Sequence, residues 1–319
     1  MTRIRRWCCP RPDVLTVRAP ATSANLGPGF DCLSLALDLG NVIRAEPSPT
    51  VMVEVVGEGA DELPTDASNE VYRALSRVFE ARGGLPPPLR LRCENAVPLA
   101  RGFGSSSAAR ASGLLLGNRL LGDPFSVDEL LELGARMEGH PDNIVACLLG
   151  GVRVSVATDR GIRHCSVAVQ SPPCLVLYVP DVRMDTRRAR ELLPREVSLE
   201  AAVYNIGRAA LLVAALANGR TDLLRTATED ALHQLPRSRM LPAMPRLFAA
   251  ALEAGAYGTF LSGAGSSILA MTGEGEAQAV ADAFAATAAH EGVSGRVLRA
   301  CIAEQGAVVS GQWAVGSRQ

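Results

Sequence analysis

Hydrophobic positions recur along the chain with two periods, and their mixing predicts the fold class. In LRLRCEN, residues 89–95, Leu89, Leu91 and Cys93 alternate with Arg90, Arg92 and Glu94, the two-residue period of a half-buried strand. VLTVRA at 14–19, VMVEVVGE at 51–58, GVRVSVAT at 151–158, RHCSVAV at 163–169 and CLVLYVP at 174–180 read as further strands. The apolar CLSLALDL at 32–39 follows a turn-rich loop, PATSANLGPGFD.

Other stretches carry the helical period. Val71, Leu75, Val78 and Phe79 share one face of NEVYRALSRVFEARGG, with Ser68 as the expected cap and Gly83 near the stop. SSAARASGLLLGNRLLG is expected to turn Leu114, Leu115, Leu120 and Leu121 inward. Ser126 and Glu129 form a capping box ahead of VDELLELGARME, which Gly139 and Pro141 end. Helices are expected at 186–193, 198–217, 221–232, 243–254 and 275–290, and strands near 257–262, 266–272 and 296–303. This mixture without strict alternation predicts an α+β protein. Its 319 residues suit two lobes, and the Pro-containing QSPPC at 170–174 marks the expected boundary, giving lobes at 14–170 and 171–310.

Composition narrows the function. The net charge of −1 gives no bulk attraction to nucleic acid. The basic start MTRIRRWCCPRP lacks the apolar run of a signal peptide, and no later segment is expected to span a bilayer, so the cytoplasm is the expected location. Cys8 and Cys9 adjoin each other, while Cys32, Cys93, Cys147, Cys165, Cys174 and Cys301 are scattered with no CxxC spacing, which points to reduced thiols. Every basic residue is Arg. Without Lys, a Walker phosphate loop, a protein-kinase strand Lys and a pyridoxal Schiff base are excluded. Composition bias equally accounts for the missing Lys, so its absence serves only to exclude.

Five polar stretches carry candidate chemistry. VPLARGFGSSSAAR at 97–110 joins a strand to a helix start; Gly102 and Gly104 let backbone approach a ligand, and the helix start favours an anion. A Gly-rich turn with a Ser cap fits the same letters, but a G-x-S-x-G nucleophile turn does not. In ARMEGHPDN, Glu138 ends a helix where a carboxylate is disfavoured unless a cation is bound, and His140, Asp142 and Asn143 crowd the following turn. Asn25 and Asp31 in PATSANLGPGFD suit an ammonium and a hydroxyl, or an ordinary turn. Thr186 and Arg190 share a helix face, and HQLPRSR holds His233 and Arg237; an Arg fork suits a carboxylate. Finally, LSGAGSS breaks a strand at Gly263, Ala264 and Gly265.

In this order the stretches resemble the GHMP kinase superfamily, and most closely its homoserine kinases. PATSANLGPGFD and EGHPDN are similar to homoserine-kinase motifs, PLARGFGSSSAA to the superfamily phosphate loop and LSGAGSS to its third motif, across about residues 14–310. The resemblance implies a two-lobed fold, with an N-terminal lobe like ribosomal protein S5 domain 2 and a ferredoxin-like C-terminal lobe. It implies phosphoryl transfer from ATP to the hydroxyl of L-homoserine, a small-molecule acceptor, with no nucleic-acid or membrane partner and homodimer assembly left open. Pro98, Leu99, Ala100, Arg101, Gly102, Phe103, Gly104, Ser105, Ser106, Ser107 and Ala108 would wrap the triphosphate. Ser106 and Glu138 would hold Mg²⁺, with Glu132 as a weaker candidate. Asn25, Asp31, His140, Thr186, Arg190 and Arg237 would bind the amino acid, and Asn143, His140 and Glu138 would serve catalysis.

The sequence departs from the family pattern at four places. Phe103 stands for Leu and Ser107 adds a third serine in the loop. Asp185 takes the place of a Ser before Thr186, and Leu235-Pro236 that of Pro-Tyr before Arg237, which opens the acceptor to other hydroxy amino acids or small alcohols. A GHMP-fold ligand sensor without turnover would show damage to the loop or the Mg²⁺ ligands, and both are intact.

Overall fold

A computed structural model describes residues 14–313; Cys8 and Cys9 lie outside the described residues. In chain order the elements are β1 Val14–Ala24, β2 Leu33–Pro47, β3 Met52–Gly57, α1 Glu70–Glu80, β4 Leu89–Asn95, α2 Ser105–Leu120, α3 Val127–Glu138, α4 Asp142–Leu149, β5 Val152–Thr158 and β6 Gly161–Val167. They continue with β7 Cys174–Pro180, α5 Thr186–Glu191, α6 Leu199–Ala217, α7 Leu224–Ala227, α8 Gln234–Arg237, α9 Met244–Glu253, β8 Gly258–Leu261, β9 Ile268–Thr272, α10 Ala277–His290, β10 Gly295–Ala300 and β11 Val308–Gln312.

The strands form two sheets. The first runs β11-β1-β2-β4-β3, with β5 on β2 and β6 on β5; only β3 and β4 pair in parallel. The second has the antiparallel order β10-β7-β9-β8 and is the ferredoxin-like lobe, in which α5–α9 lie between its first and second strands and α10 between its third and fourth. Expectation and structure agree on the α+β class and on two lobes. β11, placed by sequence largely in the second lobe, hydrogen-bonds to β1 in the first sheet, Val17 opposite Val309.

Helix α2 is the spine of the first lobe. Gly113 and Gly117 let α1 lie against it, since a Cβ on Gly113 would come within 2.1 Å of the Val71 carbonyl oxygen. With α1 on one side and other elements around it, α2 is buried nearly all round; Leu114, Leu116 and Leu120 point into the core, whereas Leu115 and Leu121 are only half-buried.

Three other local expectations are corrected. The cap of α1 is Asn69, whose side chain accepts from the Val71 N–H, while the Ser68 hydroxyl is taken by Asp66 at 2.6 Å. The expected helix over 221–232 ends at Ala227, where the Thr228 hydroxyl donates back to the Leu224 carbonyl. What reads as a turn at Asp142 and Asn143 is the first turn of α4. By length and composition α6 is also apolar enough to cross a membrane, although Glu200 and Arg208 interrupt its apolar run. Here Leu212, Ala215 and Leu216 bury in the core of the fold, and Arg208 pairs with Glu229.

Candidate active site

A cleft of about 760 Å³ opens between the sheets. One wall is the loop from Leu99 to Ser107, another the α3–α4 corner with Glu138, His140 and Asn143, and a third carries Asn25, Asp31, Thr186, Arg190 and Arg237. Most residues singled out from sequence therefore meet in one place. Four do not. The Arg101 guanidinium donates to the carbonyls of Pro180 (2.7 Å), Leu99 and Asp181 and clasps the second lobe. Ala108 packs into the core, Pro98 is buried beneath the loop, and Glu132 accepts from the Ile162 N–H in the β5–β6 hairpin.

The loop differs from expectation in why it needs glycine. Gly102 sits at φ +79°, and a Cβ there would come within 1.9 Å of the Ser262 carbonyl oxygen. At Gly104, φ +61°, a Cβ would come within 1.9 Å of the Thr22 hydroxyl. Both glycines seat the loop on protein, and the Ser262 hydroxyl fixes it by donating to the Gly102 carbonyl at 2.7 Å. The seating aims the start of α2 into the cleft. No side chain caps that end, so the N–H groups of Ser105, Ser106 and Ser107 and the positive end of the helix dipole are left for an anion.

Glu138 closes α3 just before Gly139, whose left-handed φ of +86° ends the helix. Its side chain is 1% exposed, and neither carboxylate oxygen has a hydrogen-bond partner. Burial pushes the Glu138 carboxyl above its usual range, against the pull of the Arg110 guanidinium 3.6 Å away. The Ser107 hydroxyl lies beside it without hydrogen-bond geometry. An orphaned buried carboxylate beside serines at a helix start fits a hard divalent cation, which takes oxygen ligands.

Past the Pro141 corner, His140 Nδ1 lies 2.5 Å from Asp142 Oδ1, and Asp142 is 1% exposed. Burial alone would lower the His140 pKa, but the Asp142 hydrogen bond and the charges of Asp142, Glu138 and Asp31 outweigh it and raise the pKa. The Thr22 hydroxyl donates to Asn143 Oδ1 at 2.7 Å and the Asn143 amide gives one N–H to Asp142 Oδ1 at 3.3 Å, which leaves its other N–H to offer.

At the other end, Arg190 forms two hydrogen bonds to Asp31, so two expected substrate contacts hold each other. Asn25 has both amide groups engaged, accepting from the Asp31 N–H at 3.0 Å and donating to the Gly263 carbonyl at 2.8 Å, so it positions Asp31 and ties the lobes together. Arg237 is 2% exposed and has no acidic partner within salt-bridge reach among the described residues. Burial and the nearby Arg190 charge push its pKa down to about 10. Both guanidinium carbons stand 5.4 Å from the centre of the Phe30 ring.

Of the two departures that opened the acceptor question, Asp185 lines the cleft and Leu235-Pro236 does not. Asp185 caps α5, accepting from the Arg188 N–H at 3.0 Å, the same task a Ser performs. Leu235 is 72% exposed, and neither it nor Pro236 lines the cleft. Sequence reasoning missed Thr22, Phe30 and Arg110. Thr22 and Phe30 lie inside a noted motif but read as ordinary strand and turn residues, and Arg110 gives no local signal.

Comparison with known proteins agrees with the geometry. Residues 69–151 match the GHMP kinases N-terminal domain and residues 212–290 the GHMP kinases C-terminal domain. The chain is 38% identical over 296 residues to a homoserine kinase of Desulfitobacterium hafniense, covering 93% of this chain and 100% of that one. It is 42% identical over 295 residues to that of Moorella thermoacetica, covering 92% and 99%. The crystal structure of a homoserine kinase from Cytophaga hutchinsonii superposes with a TM-score of 0.85 at 30% identity, covering 95% of this chain and 99% of that one. At these identities and coverages, the chain belongs to the homoserine kinase family of the GHMP kinases.

Proposed function

We propose that this protein transfers the γ-phosphoryl group of ATP to the side-chain hydroxyl of L-homoserine, giving O-phospho-L-homoserine and ADP. One observation carries the reading: an uncapped helix start and a buried arginine with no acidic partner among the described residues face the same cleft. The first suits a polyphosphate and the second a carboxylate.

In this reading the loop from Leu99 to Ser107 cradles the triphosphate through backbone amides and serine hydroxyls. Ser106 and Glu138 would hold Mg²⁺, which neutralises charge on the phosphate oxygens. Asp31 takes the substrate ammonium, Arg190 and Arg237 the carboxylate, and Thr186 lines the path between them. His140 and the Asn143 amide orient the hydroxyl. An amide is no base near neutral pH, so the rate comes from in-line positioning and charge stabilisation. The helix dipole of α2 acts on charge already present on the transferred group. We assign 14–170 to the nucleotide lobe and 171–310 to the acceptor lobe, with β11 as the strand that returns.

The test is ADP release with ATP and Mg²⁺ across L-homoserine, L-threonine, L-serine, mevalonate and shikimate. Turnover is expected with L-homoserine above all others. Activity on another alcohol with none on L-homoserine would sink the proposal.

A further inference from the structure

We propose that His233 is a positioning residue for the amino-acid substrate: its neutral imidazole holds the Arg237 guanidinium as a carboxylate clamp without cancelling its charge. The inference rests on the reading of Arg237 as the carboxylate contact.

His233 is fully buried, and both ring nitrogens are engaged. Nε2 lies 2.7 Å from the Gly27 carbonyl oxygen, which only accepts, so Nε2 carries the hydrogen. Nδ1 is then a lone-pair acceptor, and Arg237 Nη1, always a donor, sits 3.1 Å from it. The neighbours thus dictate one tautomer. Burial first, and the Arg237 charge with it, outweigh the Asp230 carboxylate and keep the ring's pKa below the usual histidine range.

The other anchors of Arg237 are also neutral: the carbonyls of Gly263 at 3.2 Å and Ala189 at 3.4 Å. An acidic side chain in place of His233 would hold the guanidinium equally well and neutralise it. Three neutral acceptors fix its direction and leave its charge for a ligand. The Phe30 ring packs against the same imidazole, 5.3 Å between ring centres.

The histidine itself is braced on both sides. Asp230 Oδ2 accepts from the N–H groups of His233 (2.8 Å) and Gln234 (2.7 Å), and Gln234 Oε1 accepts from the Leu261 N–H of β8. Gly27, at φ +87°, is seated so tightly that a Cβ would come within 2.1 Å of the Thr228 carbonyl oxygen. Gly27 also lies in the loop that bears Asp31. His233 therefore sets the spacing between the ammonium and carboxylate contacts.

Two substitutions separate the ring's two bonds. His233→Asn keeps an acceptor where Nδ1 stood, and His233→Gln keeps a donor where Nε2 stood. Steady-state constants are measured with L-homoserine and with 3-aminopropan-1-ol, which lacks the carboxylate. We expect His233→Gln to raise the KM for L-homoserine roughly tenfold or more. The kcat, the KM for ATP and kcat/KM for the aminoalcohol should stay within about twofold, and His233→Asn should restore most of the loss. Equal losses on both acceptors, or no advantage of Asn over Gln, would overturn the inference. If Arg237→Gln leaves the preference for the carboxylate intact, the reading of Arg237 fails instead. Should the variants not fold, the ¹⁵N imidazole spectrum of the unmodified protein decides: an Nδ1–H tautomer or a charged ring at pH 7 rejects the proposal.

Discussion

Asp31 and Arg190, 159 residues apart in the chain, meet as a two-point pair, with Nη1–Oδ2 at 2.9 Å and Nη2–Oδ1 at 2.6 Å. The cleft's acid and base partner each other. On the proposed reading, a zwitterionic amino acid beside them would extend an alternating row of charges, its ammonium on Asp31 and its carboxylate on Arg190 and Arg237.

Asp31→Asn removes the ammonium contact and the partner of Arg190 together. The KM for L-homoserine should rise roughly ten- to a hundredfold, with the KM for ATP nearly unchanged. Both side chains are about one-third exposed, so their coupling in a double-mutant cycle of thermal stability should be small, about 0.5–1 kcal/mol. A KM change of similar size for both substrates would show that Asp31 does not face the amino acid.

Glu138 is a buried carboxylate whose pKa is raised by burial, so its neutral form is the one that the metal-free fold favours. That contribution is full at pH below the ordinary carboxylate range and is lost as pH rises through the raised value. Without Mg²⁺, Glu138→Gln should therefore match the parent in acid and exceed it in stability near pH 8 by roughly 1–3 kcal/mol; with Mg²⁺ and ATP, its kcat should collapse. Parallel unfolding curves at every pH would contradict this.

Gly102→Ala forces a Cβ into the Ser262 carbonyl oxygen at a left-handed φ. Strain and displacement of the loop should cost roughly 1–3 kcal/mol of stability and raise the KM for ATP more than that for the acceptor. Unfolding midpoints and the two KM values settle it.

Asp185→Ser replaces one good helix cap by another, so acceptor preference and stability should stay near the parent's. Asp185→Ala leaves the Arg188 N–H uncapped and should cost roughly 1 kcal/mol, with a higher KM for L-homoserine because α5 carries Thr186 and Arg190. A switch of acceptor in Asp185→Ser would mean the side chain reads the substrate directly.

What was legible in the sequence depended on distance along the chain. The capping box of Ser126 and Glu129 lies within four residues and forms as expected. The kinase motifs led to a cleft in which most of the named residues meet. Asn143 was foreseen, but its tie to Thr22 was not, because 121 residues separate them. Gly102 was singled out for a ligand's approach, whereas its contact with Ser262 was not foreseen: a glycine's letter records that something comes close, and only the packed lobes show this partner. The solitude of Arg237 and the burial of Glu138 are properties of the surrounding packing, which no local pattern encodes.

The return of β11 to β1 bears on the order of assembly. All four strands of the acceptor lobe lie between Cys174 and Ala300, whereas the nucleotide lobe needs Val308–Gln312 to finish its sheet. During synthesis the lobe begun first is thus the one completed last, and a chain halted near residue 300 holds all four strands of the second sheet beside a first sheet whose β1 lacks its partner.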